Sequence, residues 1–135
     1  MKVFNHPFNK ENCKKRLLEE YHRYGKLIVA FDFDNTIYDY HNDGGDYSEV
    51  IKLLRDCSKL GFELVLFTTE EDYDKLLTKV HKVDRILNTC NFKVNISSVF
   101  SKAKKPYYNI LLDDRAGLEE SYEILKYVVD EIKSH

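Results

Sequence analysis

The sequence predicts an α/β fold in which about four parallel strands alternate with helices. Two observations carry that prediction. Short apolar runs ("KLIVAF", "FELVLF", "YYNILL") each end abruptly in polar residues, as strands covered on both faces do. Between them lie longer stretches with apolar residues at helical spacing, and that alternation favours a parallel sheet with right-handed crossovers.

The elements follow in order. "NKENCKKRLLEEYHRY" sets Cys13, Leu17, Leu18, Tyr21 and Tyr24 on one helical stripe, with Asn9 as N-cap. "KLIVAF" is the first strand. "DYSE", Asp46 to Glu49, reads as a capping box for a helix carrying Val50, Leu53, Leu54 and Cys57 inward and stopping at Gly61. "FELVLF" is the second strand. "EEDYDKLLTKVHKVDRILN" reads as a long amphipathic helix with Tyr73, Leu76, Leu77, Val80, Ile86 and Leu87 inward, and Thr69 suits its N-cap. "FKVNI" is a short third strand and "YYNILLDD" the fourth. "GLEESYEILKYVVDEIK" closes the chain, with Leu118, Tyr122, Leu125, Val129 and Ile132 on one face.

Length and composition set bounds on function. The 135 residues suit one domain, 1–135, with residues 1–25 as a helical extension at its start. A net charge of -2 supplies no basic field for nucleic acid and no acidic excess for disorder. Cys13, Cys57 and Cys90 match no metal-ligand spacing and read as reduced thiols in or beside helices. His6, His22, His81 and His135 are expected at the surface. No apolar run approaches about 18 residues and the amino terminus lacks a secretory pattern, so a cytoplasmic protein with no membrane partner is expected.

Polar residues of a particular kind end three of the strands: Asp32 and Asp34 after the first, Thr68 and Thr69 at the second, Asp113 and Asp114 after the fourth. In a parallel sheet these ends share one edge, where such folds bind ligands. Lys105, ahead of Pro106, stands just before the fourth strand. Two carboxylates about 4 Å apart repel by roughly 4 kcal/mol at an effective dielectric near 20. Several such pairs call for a cation, and Mg2+, a hard oxygen-seeking ion, fits a site that must also admit water and phosphate.

These residues resemble the haloacid dehalogenase (HAD) superfamily of phosphatases, with all four motifs in family order between residues 27 and 118. "DFDNT" matches the first motif, Thr68 in "LVLFTT" the second, Lys105 in "KKP" the third and "LLDD" the fourth. The resemblance implies a Rossmann-like sheet of order 4-1-2-3 and magnesium-dependent hydrolysis of a phosphomonoester through an aspartyl-phosphate. Asp32 would be the nucleophile and Asp34 the acid and base, with its backbone carbonyl on the metal. Thr68 would hold the phosphoryl group and Lys105 would neutralise charge. Asp32 would also bind the metal, with Asp114 ligating magnesium directly and Asp113 through water or a side contact. Thr36 and Thr69 are assigned to substrate binding.

Blander readings stand beside these. A strand-end aspartate often caps the next loop, Thr68 could be a helix cap, and Lys102, Lys104 and Lys105 could form a solvated basic loop. Arg115 suits a salt bridge to the acidic edge as well as a substrate contact. A calcium loop is excluded, because "DFDNTIYDYHND" lacks the required glycine and terminal glutamate. "IYDYHNDGGDYSE" is too short for a cap domain, and its "NDGG" suggests a hairpin flap carrying Tyr38, Tyr40, His41 and Tyr47. Tyr38 and Tyr40 could then stack on a base or sugar. A capless, open site suits large substrates, or small ones enclosed by a neighbouring copy of the chain. The expected substrate is a nucleotide or nucleic-acid end. The alternatives are a phosphoprotein, a sugar phosphate, or a non-catalytic phosphate-binding or regulatory module. A response-regulator receiver is disfavoured, since no aspartate ends the second or third strand.

Overall fold

The computed structural model describes residues 9–39, 42, 44–89, 92–96 and 107–135. The elements are α1 (Lys10–Tyr24), β1 (Ile28–Phe31), α2 (Ser48–Lys59), β2 (Glu63–Thr68), α3 (Tyr73–Leu87), β3 (Phe92–Ile96), β4 (Ile110–Leu112) and α4 (Leu118–Lys133). Every strand pairing is parallel, and the sheet order is β3-β2-β1-β4, which is 4-1-2-3 listed from the β4 edge. Helices flank this sheet. α1 packs along α4, α4 packs against β4, and α2 lies against β2, α3 and α4.

Central position explains the apolar character of β1. Val29, Ala30 and Phe31 are fully buried, and Leu64, Leu66 and Leu112 of the adjoining strands complete the layer around them. Leu53, Leu54 and Cys57 of α2 and Leu125, Val128 and Val129 of α4 close the core. Two of the three thiols are described: both are free, Cys57 buried and Cys13 partly so, while Cys90 lies outside the described residues. His22, His81 and His135 are exposed, and His6 lies outside the described residues.

The helix ends show how local chemistry sets the frame. Asn9 caps α1, its side chain accepting from the Asn12 N–H at 3.1 Å. Gly25 ends α1 at φ +78°, where its N–H donates to the Tyr21 carbonyl at 2.7 Å and a side chain would be strained. The capping box expected at α2 does not form. Asp46 instead accepts from the Ser48 N–H at 3.0 Å, starting the helix at Ser48 with Tyr47 in the cap position. α3 is capped by Asp72, accepting from the Lys75 N–H at 3.1 Å, and not by Thr69.

Strand β4 is shorter than its apolar run because Asn109 leaves the strand to make a clamp. Its side-chain oxygen accepts from the Ile28 N–H at 2.7 Å, its own N–H donates to the Ile28 carbonyl at 2.8 Å, and its side-chain amide reaches Glu20 of α1 at 2.8 Å. The largest departure from expectation is α3. Only Val83 and Leu87 are buried, whereas Tyr73 is 70% and Leu77 38% exposed. Arg55 of α2 holds the carboxyl end of α3, donating to the Ile86 carbonyl through Nε at 3.1 Å. Among the described residues, the helix is therefore fastened chiefly toward its carboxyl end. Tyr24 of α1, expected inward, is likewise 64% exposed. No helix among the described residues is long and apolar enough to cross a membrane.

This division of labour predicts unequal costs of truncation. Leu54→Ala should lower unfolding free energy in urea by about 2–5 kcal/mol, the range for a buried leucine. Leu77→Ala should cost no more than about 0.5 kcal/mol. Equal losses at both positions would place the amino-terminal half of α3 in the core.

Candidate active site

Register alone brings the acidic strand ends together. Phe31 pairs with Leu112 in β4, and the Asp32 N–H extends the ladder to the Leu112 carbonyl at 2.9 Å. Asp113 and Asp114 follow directly. Phe31 also pairs with Leu66 in β2, so Phe67 and Thr68 stand on the other flank of Asp32.

Beyond Asp32 the chain turns sharply instead of running on as a strand. The Asn35 N–H donates to the Tyr38 carbonyl at 2.7 Å, with Asn35 itself at φ +62°, a conformation asparagine tolerates better than most residues. Phe33 and Ile37 point into the core. With Phe33 so anchored, the residues on either side of it, Asp32 and Asp34, both face the sheet edge. A cavity of about 200 Å³ lies there, lined by Asp32, Asp34, Thr68, Thr69, Asp113 and Lys79.

Carboxylate oxygens of Asp32, Asp113 and Asp114 all lie within 4.8 Å of one another. Burial, the negative charge of Asp113 and a hydrogen bond shared with Asp114 push the Asp32 carboxyl up to about 7. Magnesium ligands about 2.1 Å from the ion stand at most about 4.2 Å apart, so rotation of one carboxylate or a bridging water would close the set. The donor chemistry fits a hard divalent cation.

Asp34 is treated differently from its neighbours. Its Oδ2 lies 3.7 Å from Lys79 Nζ, while its Oδ1 is buried with no hydrogen-bond partner among the described residues. An unpartnered buried oxygen has capacity for a partner that the described residues do not supply. Lys79 also faces Glu70 at 3.6 Å. Both separations exceed hydrogen-bond length, so neither carboxylate holds the ammonium tightly.

Thr36 has another role than the substrate contact expected of it. It is fully buried, donates to Asp32 Oδ2 at 3.4 Å and accepts from the Asp114 N–H at 3.2 Å. It ties the ends of β1 and β4 together and cannot touch a substrate. Thr68 accepts from the Glu70 N–H at 3.1 Å, which leaves its hydroxyl proton free to donate. Arg115 lends only its backbone, its N–H donating to Asp113 Oδ1 at 2.9 Å, and its side chain makes no ion pair among the described residues.

The expected hairpin flap is not formed by the described residues. Gly44 donates to Asp39 Oδ2 at 2.8 Å, and the one pairing nearby is a bridge between Asp34 and Tyr38. Tyr38 is folded back, stacked on Phe33 with ring centroids 4.9 Å apart, and its hydroxyl accepts from Lys82 at 3.1 Å. Tyr40, His41, Lys102, Lys104, Lys105 and Pro106 lie outside the described residues.

Lys79 was not singled out by the sequence. The apolar stripe of α3 suggested a helix packed along its whole length, and a lysine on such a helix reads as solvated. Its usable signal was distance from the cap: Asp72 starts the helix just past Thr68, so the next two turns rise from the site itself. No family model matches the chain, nor does any curated protein or solved structure.

The electrostatics predict how stability depends on pH. Asp32 holds its proton more tightly folded than unfolded, since 7 lies above the ordinary 3.8. The metal-free protein should therefore lose stability as pH rises from about 4 to 7, with the full penalty above 7. Asp56 opposes this in a different window. Burial raises its pKa, but hydrogen bonds from Lys133 and Lys52 outweigh that and hold it below 3.8, so its contribution disappears only under more acid conditions. Thermal melting in chelator should peak near pH 4–5, and Asp32→Asn should remove the decline towards pH 8. A wild-type melting temperature that rises steadily from pH 5 to 8 in chelator would contradict the raised Asp32.

Proposed function

We propose that the protein is a magnesium-dependent phosphomonoester hydrolase of the haloacid dehalogenase type, working through an aspartyl-phosphate on Asp32. One observation carries the reading. A half-buried aspartate, crowded by two other carboxylates, shares a strand-edge cavity with a second aspartate, a threonine hydroxyl and a loosely held lysine. Magnesium held by Asp32, Asp113 and Asp114 would supply the positive charge that keeps Asp32 ionised and offsets the phosphoryl oxygens.

Each residue then has a task. An oxygen of Asp32 attacks phosphorus as the ester P–O bond breaks. Asp34 gives its proton to the departing alkoxide, then takes one from the water that cleaves the aspartyl-phosphate and releases inorganic phosphate. Asp34 lines the cavity, and the lack of a hydrogen-bond partner for its Oδ1 among the described residues leaves its carboxyl free to turn toward the ester. Lys79 swings from Asp34 and Glu70 to the phosphoryl oxygens, and Thr68 donates its hydroxyl proton to the same group. Lys79 is the ammonium lining the cavity among the described residues, while Lys105, to which the resemblance gives this role, lies outside them. Thr36 is a positioning residue, fixing Asp32 relative to Asp114.

Turnover of a panel of phosphate esters with magnesium tests the assignment. Asp32→Asn should abolish hydrolysis with the fold intact. Asp34→Asn should slow an alkyl phosphate by about 10²–10⁴-fold, and p-nitrophenyl phosphate far less, because that leaving group needs little protonation. Lys79→Ala should cost about 10²–10³-fold in kcat. Wild-type activity retained in Asp32→Asn, or equal slowing of both esters by Asp34→Asn, would overturn these roles.

A further inference from the structure

A second cavity of about 490 Å³ adjoins the first, sharing Phe33, Asp34 and Lys79 with it. Tyr38 and Glu70 line it, together with Lys75, Thr78 and Lys82 of α3. Lysines 75, 79 and 82 stand four and three residues apart, so one helical face presents all three to the groove.

The charges in this groove do not cancel. Its two carboxylates, Asp34 and Glu70, both face Lys79, at 3.7 and 3.6 Å. Lys82 bonds to the neutral hydroxyl of Tyr38 at 3.1 Å and sits 4.4 Å from its ring centroid. Neither Lys75 nor Lys82 makes an ion pair with a carboxylate among the described residues. The half-buried Lys82 is thus held in place by an uncharged partner, and its positive charge is left for a ligand. Lys75, Thr78 and Lys79 lie in the amino-terminal half of α3, where no residue is buried, so this part of the face is open to one.

We infer that the groove is a subsite for a second phosphate, and that the preferred substrate is an ester carrying another phosphate beyond the scissile one, as a nucleoside bisphosphate or the phosphorylated end of a nucleic-acid strand does. The inference rests on the phosphatase reading for the scissile group. Lys75 and Lys82 bind the remote phosphate, with Thr78 at hand for a further hydrogen bond. Lys79, common to both cavities, stands at the junction between the two anions. Attraction of the lysines for the second phosphate offsets the repulsion between the strand-end carboxylates and the scissile group.

The test compares kcat/KM, with magnesium, for a nucleoside 5′-monophosphate, the matching nucleoside 3′,5′-bisphosphate and a 5′-phosphorylated trinucleotide. The bisphosphate or the trinucleotide should exceed the monophosphate by about tenfold at low salt, and the preference should shrink as ionic strength rises. A gain with the bisphosphate alone identifies a terminal phosphate as the ligand, and a gain with the trinucleotide alone identifies a backbone diester. The double variant Lys75→Gln, Lys82→Gln should bring the ratio close to one, mostly through KM. Turnover without any such preference, or a preference unchanged in the double variant, overturns the subsite. Should no ester be turned over, the phosphatase reading fails by itself. Calorimetric binding of the bisphosphate against the monophosphate, in wild type and double variant, then decides the subsite separately. Tighter bisphosphate binding that the double variant loses supports it, and equal binding refutes it.

Discussion

Three carboxylates, from Asp32, Asp113 and Asp114, are forced together at the ends of two adjacent parallel strands, and their mutual repulsion is the constraint on which the site depends. Folding does not create this cluster by attraction. It arises from register: once the apolar residues of β1 and β4 are buried side by side, Asp32 and Asp113 have nowhere else to go. The core's burial energy holds in place an arrangement that would otherwise disperse. Burial, together with this crowding, pushes the Asp32 carboxyl up to about 7.

Small devices keep the cluster in position. Thr36 spends its hydroxyl on both strand ends at once, and Phe33, anchored in the core, turns Asp32 and Asp34 to the same edge. Asn109 fixes the start of β1 against α1, setting the register from the opposite end of the sheet. α3 contributes by what it leaves unpacked. Its buried end is tied by Val83, Leu87 and Arg55, with Lys82 beside Tyr38 at the edge of that packing, and its other half holds Lys79 at the cavity.

Much of this was legible before any coordinates. Strands covered on both faces leave unmistakable apolar runs, so β1, β2 and β4 and the acidic pairs ending them could be placed at one edge of a parallel sheet. What the pattern could not resolve was direction inside irregular segments. The spacing of "DFDNT" does not reveal that Asn35 takes a positive φ and sends Thr36 inward. Tyr38 looked like a residue of an exposed flap because nothing in the sequence announces its stack on Phe33. α3 misled for another reason. Tyr73 and Leu77 fit the inward stripe by spacing, yet the helix outruns the core at that end, and periodicity carries no information about where a core stops.

The central claim is that burial and acidic neighbours hold Asp32 protonated and that a cation bound among them ionises it. Carbon-13 NMR of the Asp32 side-chain carboxyl, followed from pH 4 to 9 with and without magnesium, tests it directly. Without metal the resonance should titrate near 7, and saturating magnesium should move the transition below about 5. A resonance that titrates in the ordinary carboxylate range near 4 and ignores magnesium would contradict the account.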